Sequence, residues 1–312
     1  MWLANLGLLV VAFAWGSQIP VLTVLLAHWD PYFLAAVRYV LAVPVLLLLL
    51  RLLEPRHYDL SGLASGRVWI LGIALGLFVP LYTIGIANAD PNTAAIIGSM
   101  GTVIGGLVGW IGFRMPIERA LWPAIVLALA GGILATFRPD MAGSGFDIRG
   151  GEFLVILAAA CWAWYSLAAQ RWLGHWSQLK ISVITMVPAT VVSMVVYAGA
   201  ALLGEVPWPP PPQRDALDIG LVIWMVVMAV IAGLIFWNYG MQKLGIVISS
   251  IYLNFVPIFA VLIIAILGTP PRLLQIAGGA LVLVGVFLSQ RHHFAWYRRI
   301  TGAASGGART GG

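Results

Sequence analysis

Nine residues of the chain combine a ring with a polar handle and fall in the middle of apolar runs: Trp15, Tyr39, Tyr82, Trp162, Trp164, Tyr165, Trp237, Tyr239 and Tyr252. Amides and hydroxyls at Gln18, Ser99, Ser166, Asn238 and Asn254 join them. Such a set offers stacking surface and a few hydrogen bonds, which suits a site for a small neutral or zwitterionic solute with an apolar side chain. Tyr and Trp need partners for their polar atoms away from water, so the set is not expected to face lipid throughout.

Bond-making chemistry finds no such support. The histidines (His28, His57, His175, His292, His293) fall between or beyond the apolar runs, and the loops carry no paired carboxylates. No HExxH and no glycine-rich phosphate loop occurs. Cys161 is the single cysteine, which excludes an intrachain disulfide and a cysteine-based zinc site. The chain is therefore read as no enzyme, with no catalytic residue, no metal site and no cofactor.

Charge is distributed in the same sense. All eleven acidic residues fall in loops or at the ends of apolar runs. Buried carboxylates mark proton relays and cation sites in membrane carriers, so their absence argues against carboxylate-based ion coupling and against a cationic cargo. Arg38 is the one charge well inside a run. It reads equally as a counter-ion for a substrate carboxylate, as a gate, or as a structural residue that snorkels or bonds to broken backbone.

The composition that must hold these residues is 61% hydrophobic and 9% charged, against roughly 45–50% and about 25% in soluble domains. So few charges cannot cover a soluble surface. Apolar runs near 3–27, 31–53, 67–87, 91–112, 120–137, 151–171, 181–203, 217–239, 245–267 and 273–289 read as ten transmembrane helices. The first is a retained span, because no Lys or Arg precedes Arg38 as a signal peptide would require. The net charge of +6 forms no basic stripe, so no nucleic-acid partner is expected; the bilayer is the implied one. Nothing in the sequence requires more than a monomer. The segment "EVPWPPPPQRD" reads as a stiff spacer and 290–312 as a largely disordered tail.

With ten spans both termini share one side. Loops on that side hold twelve Lys and Arg, the other side four, and Arg38 completes the seventeen. That bias places both termini in the cytoplasm, in a multi-pass protein of a bacterial inner membrane. Most tryptophans fall near span ends as interfacial anchors.

Internal repetition is visible. "AWGS" at 14–17 matches "AWYS" at 163–166, and His28-Trp29 matches His175-Trp176. A shift of 155 pairs Tyr82 with Trp237 and Gly85 with Gly240, and Gly131 pairs with Gly285 one residue out of step. A five-span unit used twice must enter the membrane from opposite faces, so the fold expected is two inverted five-helix repeats. The boundaries read as 1–137, a linker loop at 138–150, and 151–289. Proline interrupts spans at Pro20, Pro80, Pro188 and Pro257, where freed backbone is tolerated only against protein or water. Gly101, Gly105 and Gly109 are expected to form a close helix crossing.

The paired halves, "AAVRYVLA" in span 2 and "QIAGGALVLVGVFLSQR" at the end resemble the drug/metabolite transporter superfamily. Within it the chain is similar to the ten-helix EamA-type exporters, and among those to the YddG-type exporters of aromatic and other neutral amino acids. The resemblance implies export of small metabolites, amino acids foremost, by alternating access through a central cavity. It departs from the family where a Gly-Glu pair is common before the last helix of each half: Phe113 follows Gly112 and Thr269 follows Gly268. Other readings are the same fold with a nucleotide sugar, phosphorylated metabolite or drug as cargo, and a channel.

Overall fold

The computed structural model of the chain describes residues 2–115, 121–138, 147–208, 215–285 and 287–288. The centre of the linker at 139–146, the proline stretch at 209–214 and the tail at 290–312 lie outside the described residues. Among the described residues the regular elements are all helices.

Among the described residues six helices are long and apolar enough to cross a bilayer: Trp2–Leu25, Pro31–Leu53, Gly66–Ala87, Gly151–Leu173, Gln178–Leu202 and Ala216–Trp237. They are spans 1, 2, 3, 6, 7 and 8. Span 4 is a helix pair, Pro91–Ser99 and Val103–Phe113, bent by 52°. Shorter apolar helices at Trp122–Thr136, Phe255–Ile266 and Leu273–Gly285 stand where spans 5, 9 and 10 were expected. The chain is an all-α membrane protein.

Helix starts follow local chemistry. The carboxylates of Asp30 and Asp90 accept from the amides of Phe33 and Thr93, each with proline as the next residue. Such caps satisfy an amide that the helix leaves open, and proline at N1 has no amide to waste. Ser177 and Asp215 cap spans 7 and 8 in the same way.

The two halves are upside down relative to each other. A Cβ at Gly131 of span 5 would stand 2.4 Å from the Gly278 carbonyl of span 10, and one at Gly285 would stand 3.0 Å from the Ala124 carbonyl. Position rises along one helix as it falls along the other, so the equivalent spans run antiparallel. Spans 2 and 7 do likewise. Phe33 near the start of span 2 meets Tyr197 near the end of span 7, at 5.4 Å between rings. The Glu54 carboxylate just past span 2 accepts from the Ser177 hydroxyl just before span 7. The tryptophan of each repeated His-Trp pair docks against the opposite half, by different contacts: the Trp29 indole donates to Asp218 at 3.0 Å, while Trp176 packs over Gly62 beneath the Lys180 ammonium, 4.7 Å away.

The prolines and glycines of the spans take different places. Span 1 is interrupted one turn before Pro20: helix Trp2–Gly16 resumes at Gln18–Leu25, and Pro20 has no amide to offer Gly16. Pro80 and Pro188 lie inside continuous helices. Pro80 leaves the Gly76 carbonyl without its helical donor, and the buried Ser193 hydroxyl of span 7 supplies one at 3.1 Å. Pro257 stands in the first turn of helix Phe255–Ile266, just after the turn at Leu253 and Asn254 that interrupts span 9. The glycine ladder of span 4 is not a tight crossing: a Cβ at Gly101 would meet nothing within 4 Å, and one at Gly105 only the Ala163 methyl at 3.9 Å. Backbone-close crossings lie instead at Gly16, Gly72, Gly76 and the Gly131–Gly278 pair. Helical backbone also continues through 240–244, expected as a loop, as Gly233–Tyr252; Met241, Gln242, Lys243 and Leu244 are all good helix formers.

Candidate functional site

Arg38 is the centre of the arrangement. It lies seven residues into span 2, roughly 10 Å along the helix axis from its start, and is 4% exposed. One guanidinium nitrogen donates to the Thr83 hydroxyl of span 3 at 3.1 Å. The other reaches the Gln18 side-chain oxygen of span 1 at 3.5 Å. The Thr83 hydroxyl spends its own hydrogen on the Val79 carbonyl at 2.8 Å, which leaves its oxygen free to accept. Among the described residues the buried Nε of Arg38 has no hydrogen-bond partner.

Rings continue from that point. Tyr39 and Tyr82 lie within electrostatic range of the guanidinium. Tyr82 stacks on Phe78 at 5.6 Å, Phe78 meets Trp162 at 5.2 Å, and Trp162 meets Tyr165 at 5.7 Å. The Tyr165 hydroxyl is anchored on Thr185 at 2.8 Å. Spans 1, 2, 3, 6 and 7 thus carry one connected group. Trp162 remains 42% exposed, so protein leaves part of its ring uncovered.

A second feature joins spans 1 and 8. Span 8 widens into a π-helical stretch at Met225–Ala232, a distortion frequent at functional sites. Its Ala229 carbonyl accepts from the Trp15 indole at 2.8 Å, and Trp15 lies 5.6 Å from Trp237, ring to ring. In return the Trp224 indole of span 8 donates to the Ser17 hydroxyl at 3.0 Å, at the interruption of span 1. Each helix holds the other's irregularity.

Two stretches, residues 2–137 and 149–290, each match the model of the EamA-like transporter family. The chain belongs to that family. It is similar to two transporters of Bacillus subtilis (strain 168), both described as uncharacterized. It shares 24% identity with YyaM over 83% of this chain and 84% of that one. With YrdR it shares 23% identity over 93% and 91%. A crystal structure of another protein superposes with a TM-score of 0.62 over 92% of this chain and 96% of that one, at 17% identity, and so shares the fold.

Within this EamA-like transporter the structure brings together six of the residues singled out in sequence: Gln18, Arg38, Tyr39, Tyr82, Trp162 and Tyr165. Trp15 and Trp237 form the separate pair described above. Trp164 turns elsewhere, to Phe113 at 6.2 Å and Trp172 at 5.7 Å. The Tyr252 hydroxyl donates to Asn5 at 2.7 Å. Ser99 and Asn254 stand at the interruptions of spans 4 and 9, and Ser99 bonds back to its own helix at Ile96. Tyr239 is half-buried, and the Asn238 side chain lies outside the described set.

Phe78, Thr83 and Thr185 were missed. Phe78 has no polar handle, and a threonine in an apolar helix usually bonds back to the preceding turn, as both threonines here also do. The one available signal was spacing, since Phe78 and Tyr82 are four apart and share a helix face.

Proposed function

We propose that this EamA-like transporter exports small neutral or zwitterionic metabolites, aromatic and other apolar amino acids foremost, across a bacterial inner membrane. Residues 1–137 and 151–289 act as two inverted halves that rock about a central aromatic-lined cavity, opening it to one side at a time, with both termini in the cytoplasm. The substrate-contacting residues are the group around Arg38, Tyr82 and Trp162, with Trp15 and Trp237 from the span 1–span 8 junction and Trp164, Tyr252 and Asn254 farther along the path.

The observation that carries this reading is a buried, incompletely bonded Arg38 beside a ring cluster with one partly uncovered face. Rings hold an apolar side chain, and the guanidinium fixes the orientation of its polar end. A phosphorylated cargo would call for several inward cations. Among the described residues the other buried cation, Lys180, sits near a span end and is 3.6 Å from Asp59.

Uptake into liposomes holding only this protein tests the proposal, with tryptophan, methionine, a sugar phosphate and choline offered separately. The reading expects tryptophan and methionine to enter above protein-free liposomes, and sugar phosphate and choline to stay outside. Uptake of the sugar phosphate alone would replace it.

A further inference from the structure

We infer that the cargo is recognised as a carboxylate anion by Arg38 without any requirement for an amine, so that aromatic monocarboxylates are carried alongside amino acids. The inference rests on the aromatic-cargo reading above and deepens it. A guanidinium keeps its proton in proteins and presents five N–H donors in a planar fork. Arg38 is 4% exposed, its two bonds go to the neutral oxygens of Thr83 and Gln18, and among the described residues its Nε finds no acceptor.

The contrast with other cations is informative. Lys180 has Asp59, and Arg138 and Arg149 share Asp147 at 3.2 and 2.9 Å. Among the described residues no Asp or Glu lies within ion-pair distance of Arg38. A buried charge without a partner is unfavourable, and a ligand carboxylate supplies the missing partner in the bidentate geometry that suits guanidinium. Among the described residues no carboxylate forms an ion pair or a hydrogen bond with the Arg38 group or its rings. The described acidic groups near the spans are committed at helix ends: Asp30 and Asp90 cap spans 2 and 4, Asp215 caps span 8, Glu152 accepts the amides of Arg149 and Gly150, and Asp218 takes the Trp29 indole. An ammonium group beside Tyr82 and Trp162 therefore meets rings but no counter-charge. One guanidinium without a second cation also matches a single negative charge better than a phosphate dianion.

Four probes that share one side chain separate the contributions of the two charges: 3-phenylpropionate, 3-phenylpropanamide, phenylalanine and phenethylamine. Calorimetric titration of the detergent-purified full chain should give 3-phenylpropionate and phenylalanine affinities within about threefold, and amide and amine affinities weaker by about tenfold or more. In Arg38→Gln the acid should fall to the level of the amide while the amide itself is unchanged, which a merely structural defect does not produce. Arg38→Lys should keep a reduced preference for acid over amide, and with the wild-type series it decides the matter if Arg38→Gln fails to fold. Equal binding of acid and amide by the wild type, binding of phenylalanine without 3-phenylpropionate, or an acid preference that survives in Arg38→Gln would each overturn the inference while leaving an aromatic cargo in place. Failure of all four probes to bind would overturn the aromatic-cargo reading and this inference with it.

Discussion

The Arg38 guanidinium and the Thr83 hydroxyl meet at 3.1 Å in the interior of two adjacent spans, and Thr83 has already given its own hydrogen to Val79. Threonine is thereby a pure acceptor toward Arg38. Thr83→Val keeps the shape and removes the acceptor from a charged donor, which costs roughly 2 kcal/mol. Thr83→Ser keeps it. Thermal unfolding in detergent should place Val well below wild type and Ser close to it; equal midpoints for the two variants would show that this contact contributes little.

Ring contacts divide the aromatic residues into separate groups. Tyr82→Ala and Trp162→Ala remove neighbours of one cluster, and each is expected to lower aromatic amino acid uptake by about tenfold, as stacking worth roughly 1–1.5 kcal/mol implies. Trp15→Ala breaks both a ring pair and the bond to Ala229 and should lower uptake and stability together. Uptake and unfolding measured on the same preparations distinguish these effects.

The two indole bonds between spans 1 and 8 should be coupled. Trp15→Phe and Trp224→Phe each remove one N–H donor, a loss of about 1 kcal/mol apiece. Because both close the same contact, the double variant should depart from additivity by roughly 0.5 kcal/mol or more. A double-mutant cycle by chemical unfolding reads this directly.

Glycines offer a sharper contrast. A side chain at Gly131 would press on the Gly278 carbonyl at 2.4 Å and on Val282 at 2.7 Å, so Gly131→Val should destabilise by about 2 kcal/mol or more, as overpacking does. Gly98→Ala enters open space within a helix and should be neutral or stabilising by up to about 1 kcal/mol. The midpoint of thermal unfolding should fall for Gly131→Val and hold or rise for Gly98→Ala.

The loop before span 6 should respond to acid. The Asp147 carboxyl is held below its ordinary value of 3.8, first by the hydrogen bond from Arg149 and then by Arg138. A carboxyl whose folded pKa is depressed contributes stability above its unfolded value and loses it as pH falls through the folded one. Asp147→Asn should therefore unfold at a lower temperature than wild type by a constant margin between about pH 5 and 8, and that margin should close as pH falls below 3.8. Unfolding curves recorded across that range test it.

Hydropathy made the spans legible because bilayer thickness demands long apolar runs, and the repeated His-Trp pairs pointed to the halves whose helices run antiparallel. The bend of span 4 was not legible. No proline marks it, and Gly98 and Gly101, which flank it, look the same in sequence as glycines that pack. The π-helical stretch in span 8 was equally hidden, since Met225–Ala232 is uniformly apolar and its distortion answers to Trp15 from the other half. Arg38 stood out at once as a lone charge. Gln18 also stood out as a mid-span amide and Thr83 did not, but neither could be paired with Arg38, because both come from other spans and only tertiary packing delivers them. Trp164 shows the same limit: it neighbours Tyr165 in sequence, yet adjacent helix positions face different ways, and its ring turns to Phe113 and Trp172.

Counterflow in proteoliposomes measures alternating access most directly. Vesicles loaded with unlabelled phenylalanine and diluted into a trace of labelled phenylalanine should show a transient accumulation of label above its equilibrium level, saturable in the loaded solute and absent without protein. Label that rises only to equilibrium, at a rate proportional to concentration and indifferent to the unlabelled pool, would contradict a carrier whose site faces one side at a time.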